Sequence, residues 1–190
     1  MRGLLSLPDL VSLSKSNGMD TLALTDVNGL WGFVRFVQHC KDAGISPIAG
    51  TNLITEKNEV ILLAENQYGY ENICRIVSTI HDDPNQSVVD ILRDKCTGLF
   101  VLSHDETTLR ALIKFIPDTH LFIELRPGIQ ESEAHRLCRE LKLEIVGTAD
   151  VYFRSPSDHD AHVMLRAIEK NTTLEQLERS ECKSDQHWFR

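Results

Sequence analysis

One stretch, Gly18 to Asn52, restricts the fold more than any other. Thr21 to Thr25 is a short apolar run between Asp20 and Asp26, the pattern of a buried strand. Thr25-Asp-Val-Asn-Gly29 then supplies turn residues where that strand should stop. Leu30, Phe33, Val34 and Val37 recur at helical spacing, and Gly44 ends the helix. Pro47 to Leu53 begins a second strand. A strand–helix–strand unit of this length implies a parallel pair joined by a right-handed crossover. Chemistry in such units sits at the carboxyl ends of the strands, and Asp26 and Asn52 occupy two of them.

The same alternation runs through the rest of the chain. Before the unit, Ser6-Leu-Pro-Asp9 reads as a helix entry closed by Asn17-Gly18. After it, Glu59 to Ala64, Gly98 to Ser103, Leu121 to Leu125 and Glu144 to Thr148 have strand length and apolar content. Helical spacing marks Tyr70 to Ile80, Thr107 to Phe115, Gln130 to Leu141 and Ser157 to Ile168, with a short helix at Val88 to Leu92. His81 to Ser87 reads as a loop, and Asn171 to Arg190 as one short helix with an irregular end. Six strands with intervening helices predict an α/β fold with a parallel sheet, either open or closed as a distorted barrel.

At 190 residues the expectation is one domain, 1–190, with a sizeable core. No stretch approaches the apolar length of a membrane span, and the first residues lack a signal peptide's apolar core, so a cytoplasmic protein is expected. The five cysteines are widely spaced with no C-x-x-C pair, which suits reduced thiols rather than a disulfide frame or zinc site. A net charge of −8 disfavours a large non-specific DNA-binding face, because phosphate contacts need clustered Lys and Arg.

Polar groups gather where the strands end: Asp26, Asn52, His104 with Asp105, and Asp150. Carboxylates and imidazoles on the ends of one sheet can converge on a metal. Each alone is more often a turn former or helix cap. His162, beside Asp158 and Asp160, reads as a packing or hydrogen-bonding residue, and Trp31 and Phe33 as core or interface.

The ordered motifs carry a resemblance. They are Gly18-Met-Asp-Thr-Leu-Ala-Leu-Thr-Asp-Val-Asn-Gly-Leu-Trp-Gly32, Ala43-Gly-Ile-Ser-Pro-Ile-Ala-Gly50, Leu62-Leu-Ala-Glu-Asn66, Gly98-Leu-Phe-Val-Leu-Ser103, Phe122-Ile-Glu-Leu125, Val146-Gly-Thr-Ala-Asp-Val-Tyr-Phe153 and Asp158-x-Asp-Ala-His162. Together they resemble the PHP (polymerase and histidinol phosphatase) domain, in the form found at the N-terminus of bacterial DNA polymerase III alpha subunits. The resemblance implies a distorted (β/α)7-type barrel, here incomplete at the N-terminus, whose active members bind up to three metals and hydrolyse phosphate esters. In some polymerases the domain is a 3′–5′ exonuclease.

The resemblance also marks departures. The family's opening His-x-His motif is absent. Val27 stands where the family has histidine, Asn52 where it has glutamate, and Glu59 where it has histidine. Asp105, with His104 beside it, replaces a cysteine or histidine, and the late Asp-x-His pair is Asp150 and Tyr152. Valine cannot bind metal, and a tyrosine phenol stays protonated at neutral pH. The expectation is a degenerate, non-catalytic or weakly active domain that scaffolds a polymerase in DNA replication. Its implied partners are the polymerase body and the proofreading exonuclease subunit, with DNA met indirectly and no membrane. Residues 171–190 would lead toward the polymerase body. The alternatives are a phosphoesterase or exonuclease and a separate partner-binding paralogue. In the first, Asp150, Asp105, Glu59 and Asp26 hold a residual divalent metal (manganese, zinc or magnesium), with His104, Asn52 and Tyr152 at degenerate site positions.

Overall fold

The computed structural model describes residues 3–56, 58–178 and 182–189. Its elements run α1 (Leu7–Ser16), β1 (Thr21–Val27), α2 (Phe33–Ala43), β2 (Ser46–Ile54), β3 (Glu59–Ala64), α3 (Gln67–Asp82), α4 (Val88–Lys95), β4 (Leu99–Ser103), α5 (Glu106–Leu112), β5 (Leu121–Leu125), α6 (Glu131–Leu141), β6 (Ile145–Gly147) and α7 (His159–Glu169). A single 3-10 turn, Pro156–Asp158, leads into α7. The strands form one curled six-stranded sheet in the order β1-β2-β3-β4-β5-β6.

The expected α/β fold is present, but the sheet is mixed rather than parallel. β1 and β2 are parallel, as are β4, β5 and β6, whereas β3 is antiparallel to both of its neighbours. The reason is the link between β2 and β3. Four residues, 55–58, separate them, and a right-handed crossover needs many more. The link closes as a hairpin, with Thr55 N–H donating to the Asn58 carbonyl at 2.9 Å. The reversal places the start of β3 on the same rim as the carboxyl ends of the other five strands.

Local chemistry explains most element boundaries. Ser6 caps α1, and Asn66 caps α3 by accepting the Gly69 N–H at 3.1 Å. Asn66 and Gly69 therefore set the start of α3. Gly69 is required for space, since a Cβ there would lie 1.8 Å from the Gly98 carbonyl oxygen. Gly44 closes α2 in the left-handed conformation at φ 69°, where its N–H reaches the last carbonyls of the helix. At the end of β1, Asn28 exchanges two side-chain hydrogen bonds with the backbone of Ile54, both 2.8 Å, extending the β1–β2 pairing past the strand.

The main core lies between the sheet and helices α3 to α6. It is built on Leu53, Leu62, Ile73, Ile76, Leu99 and Leu121. A smaller cluster of Val11, Phe36, Cys40 and Ile45 joins α1 and α2 to β1. The two sheet edges are β1 and β6. The segment before α1 reaches the segment after β6, because Leu4 N–H donates to the Tyr152 carbonyl at 2.7 Å. In the tail, Phe153 forms an isolated bridge with Trp188. The described residues of 171–189 form turns and no helix, whereas a short helix was expected there. Residues 179–181 and 190, which belong to that expectation, lie outside the described residues. Among the described residues, no helix is long and apolar enough to cross a membrane.

Candidate functional site

The rim shared by the strand ends holds an ion cluster centred on Arg126. Glu124 and Arg126 are two residues apart at the end of β5, so they point to one face. Pro127 follows and favours extended backbone at Arg126, carrying that alternation past the strand end. The guanidinium meets Glu59, at the start of β3, through two parallel hydrogen bonds of 2.9 Å each. It also lies 3.8 Å from Glu124. Since β4 separates β3 from β5 in the sheet, Arg126 reaches over the end of a strand to close this pair.

The neighbours complete the cluster. Asn52 donates to Glu59 Oε1 at 3.0 Å, and Ser103 Oγ donates to the Glu59 carbonyl at 3.2 Å. Thr148 donates to Glu124 Oε1 at 2.7 Å, and His104 Nδ1 lies 3.5 Å from Glu124 Oε2. Burial would raise the pKa of Glu59, but the hydrogen bonds from Arg126 and Asn52 and the charges of Arg126 and His104 outweigh it, holding the carboxyl at about 2. Burial would likewise lower Arg126, yet its bonds to Glu59 and the charges of Glu124, Glu59 and Asp150 raise it.

Asp150 forms a second, adjoining knot. Its backbone is left-handed at φ 44°. Lys183 Nζ reaches its carboxylate at 2.6 Å, and His187 Nδ1 at 3.2 Å. Burial raises this carboxyl, while the His187 hydrogen bond, the Lys183 contacts and the Arg126 charge bring it down to about 2. Tyr152 stands beside the knot, with the Lys183 ammonium 4.9 Å from its ring centre. His162 is buried, and its Nε2 accepts the Lys183 N–H at 3.1 Å, in keeping with a packing and hydrogen-bonding residue.

The structure thus divides the seven residues singled out in the sequence. Glu59, Asn52 and His104 meet around Arg126 and Glu124, with Asp150 and Tyr152 adjoining. Asp26 and Asp105 do not join them. Asp26 Oδ2 accepts the Gly32 N–H at 2.7 Å, ordering the turn into α2. Asp105 caps α5, accepting the Thr108 N–H at 2.7 Å. Trp31 is not core, being 75% exposed with its edge toward His81. His81 belongs to α3 rather than a loop, and its Nε2 lies 2.8 Å from the Asn28 carbonyl oxygen.

Arg126, Thr148, Lys183 and His187 were not anticipated. A charged residue within the apolar run Leu121 to Leu125, with an arginine two positions on, is a readable sign of a paired strand end. Lys183 and His187 carry no such sign.

These residues do not fit a divalent metal. Each carboxylate of the cluster already faces a protein cation, so an incoming ion would have to displace a guanidinium or ammonium that then repels it. Asn52 Oδ1 and His104 Nδ1 are buried with no hydrogen-bond partner among the described residues. These are an amide oxygen and an imidazole nitrogen, and the anionic groups around them are taken. Among the described residues, no group of three or more His, Cys, Asp or Glu is placed to hold a metal ion.

Comparison with known proteins agrees with the fold. The PHP domain matches residues 1–154. The DNA polymerase III alpha subunit of Pasteurella multocida is 29% identical over 224 aligned residues, which cover 100% of this chain and 19% of that protein. The error-prone DNA polymerase of Symbiobacterium thermophilum is 27% identical, covering 97% of this chain and 21% of that protein. The chain therefore spans about a fifth of the length of these curated relatives. Among solved structures, a two-domain protein of Bacteroides vulgatus containing a predicted PHP-like metal-dependent phosphoesterase superposes with a TM-score of 0.57 at 16% identity, over 90% of this chain and 52% of that one. An amidohydrolase from Chromobacterium violaceum superposes with a TM-score of 0.54 at 9% identity, over 80% of this chain and 84% of that one. With the family matched over residues 1–154, most of its length, this chain belongs to the PHP domain family.

Proposed function

We propose that this chain is a non-catalytic PHP domain of the DNA polymerase III alpha type, acting as a scaffold in bacterial DNA replication in the cytoplasm. One observation carries the reading: the carboxylates of the rim are bound by Arg126, Lys183 and His187. Hydrolysis of a phosphate ester by metal-activated water needs those carboxylates free for cations and an open position for water.

A scaffold needs a surface. Met164, Leu165, Ile168 and Leu174 are exposed along α7 and the turn after it, where Ala167, Thr172 and Thr173 complete an open apolar groove. These residues lie beyond the stretch matched by the PHP domain, yet inside the stretch aligned with the polymerases. That placement favours the polymerase body as the group that covers them, with the proofreading exonuclease subunit as a further partner and DNA met only through the assembly.

The test is metal content after exchange into manganese and zinc, with a chelated control, alongside hydrolysis of a phosphate monoester and of a labelled DNA 3′ end. The expected result is no stoichiometric metal and no turnover. Turnover or tightly held metal that disappears in Asp150→Ala would overturn the reading. The docking part is tested by titrating the chain with an alpha subunit deleted for its own PHP region. Ile168→Glu should abolish binding without changing the fold, and unchanged binding would exclude this face.

A further inference from the structure

We infer that Arg126 is a built-in cation that does for this rim what bound metal cannot do here: it ties β3, β5 and the β4–α5 junction together and makes the domain's stability independent of divalent ions. The inference deepens the non-catalytic reading of the same site and needs no polymerase partner.

The argument begins with geometry. Glu59 and Glu124 sit on strands that do not pair with each other, and both project at the rim around the end of β4. Glu124 is almost wholly buried and Glu59 mostly so, with side-chain exposures of 2% and 25%. Two buried carboxylates near one another repel, and water is not there to screen them. Some cation must neutralise them. The Arg126 side chain is 11% exposed, and its guanidinium is planar and permanently charged. It meets Glu59 through both terminal nitrogens and keeps Glu124 within 3.8 Å. Asn52 and Thr148 each donate one further hydrogen bond, to Glu59 and Glu124 respectively. Asp150 is met by Lys183 and His187, so each rim carboxylate faces a cation from the chain, Arg126 for Glu59 and Glu124 and Lys183 for Asp150.

A lysine at this position would keep the charge but could not make the two parallel bonds. Removing the guanidinium leaves two buried carboxylates without a counter-ion, which is much worse than removing all three charges together.

The experiment compares melting temperatures of the whole chain and three variants, with chelator and with added manganese or zinc. The parent should melt at the same temperature in all three conditions. Arg126→Met should lower it by about 10 °C, with Arg126→Lys in between. The triple variant Arg126→Met, Glu59→Gln, Glu124→Gln should regain most of the loss. Should Arg126→Met fail to fold, the lysine and triple variants carry the same comparison. A change within about 2 °C for Arg126→Met would overturn the inference. So would equal losses in the single and triple variants, which would mean that stem packing rather than charge is at stake. A parent stabilised by manganese or zinc would overturn it as well. The two readings fail separately: a metal-indifferent parent with a neutral Arg126→Met removes the clamp alone, whereas turnover removes the non-catalytic reading whatever Arg126 does.

Discussion

Two arginine–glutamate clusters in this protein use the same groups in opposite surroundings. At the strand-end rim, Arg126 pairs with Glu59 and Glu124. On the outside, Arg110 and Arg136 knit α5 to α6 through Glu106, Glu133 and Glu140, with contacts of 2.6–3.1 Å. By distance the outer network is the better bonded. By burial it is not: Arg136 and Glu140 are 39% and 42% exposed, against 11% and 2% for Arg126 and Glu124. Water competes for every outer contact and salt screens it. At the rim there is little water, so losing a partner strands a charge. Hydrogen-bond length alone therefore ranks these clusters in the wrong order, and solvent access decides which one the fold depends on.

The largest expected difference is between equivalent truncations. Arg126→Met should destabilise by about 3–5 kcal/mol, read by chemical denaturation. Arg136→Met should change the unfolding midpoint by no more than the scatter of the measurement. Equal effects would break the comparison.

Acid should give the next largest effect. Glu59 and Asp150 have folded pKa values of about 2, below their unfolded values. Their contribution is fully present above the unfolded carboxylate range and is lost as pH falls through the folded values, from about pH 5 toward 2. The loss should be on the order of 2 kcal/mol for each group. In Arg126→Met, Glu59 loses its main partner and the slope of stability against pH over this window should flatten. A variant with the parent's slope would mean that the acid sensitivity lies elsewhere.

Salt should have the smallest effect and sharpen the contrast. Raising ionic strength to about 1 M shortens the screening length to roughly 3 Å. Any Arg136-dependent difference between parent and variant should vanish, while the Arg126-dependent difference should persist. A salt-sensitive Arg126 difference would show that water reaches the rim.

Much of this protein was legible in the chain. β3 and β5 begin and end where their apolar runs do, and Gly44 stops α2 as its position implied. The PHP motifs led to the right family. Within the strand-end rim, Asn52 and Glu59 meet as neighbours on a hairpin, which local spacing can encode. Asp26 and Asp105 look the same in sequence but were claimed by nearby backbone N–H groups. A short carboxylate side chain next to a helix start is satisfied at close range before any distant partner can compete.

What the sequence determined by itself is most of the elements, the faces they bury and the family the chain belongs to. The elements and their faces follow from periodicity and turn chemistry acting within about one element's length, and the family from the resemblance that the ordered motifs carry. What only the tertiary structure decided is the charge state of the rim. Arg126 and Glu59 are 67 residues apart in the chain, and Lys183 and Asp150 are 33 apart. Such pairs leave no periodic trace. They exist because β3 runs against its neighbours and because the tail folds back onto residues 150–153, bringing cations to the carboxylates from which metal chemistry would otherwise have been expected.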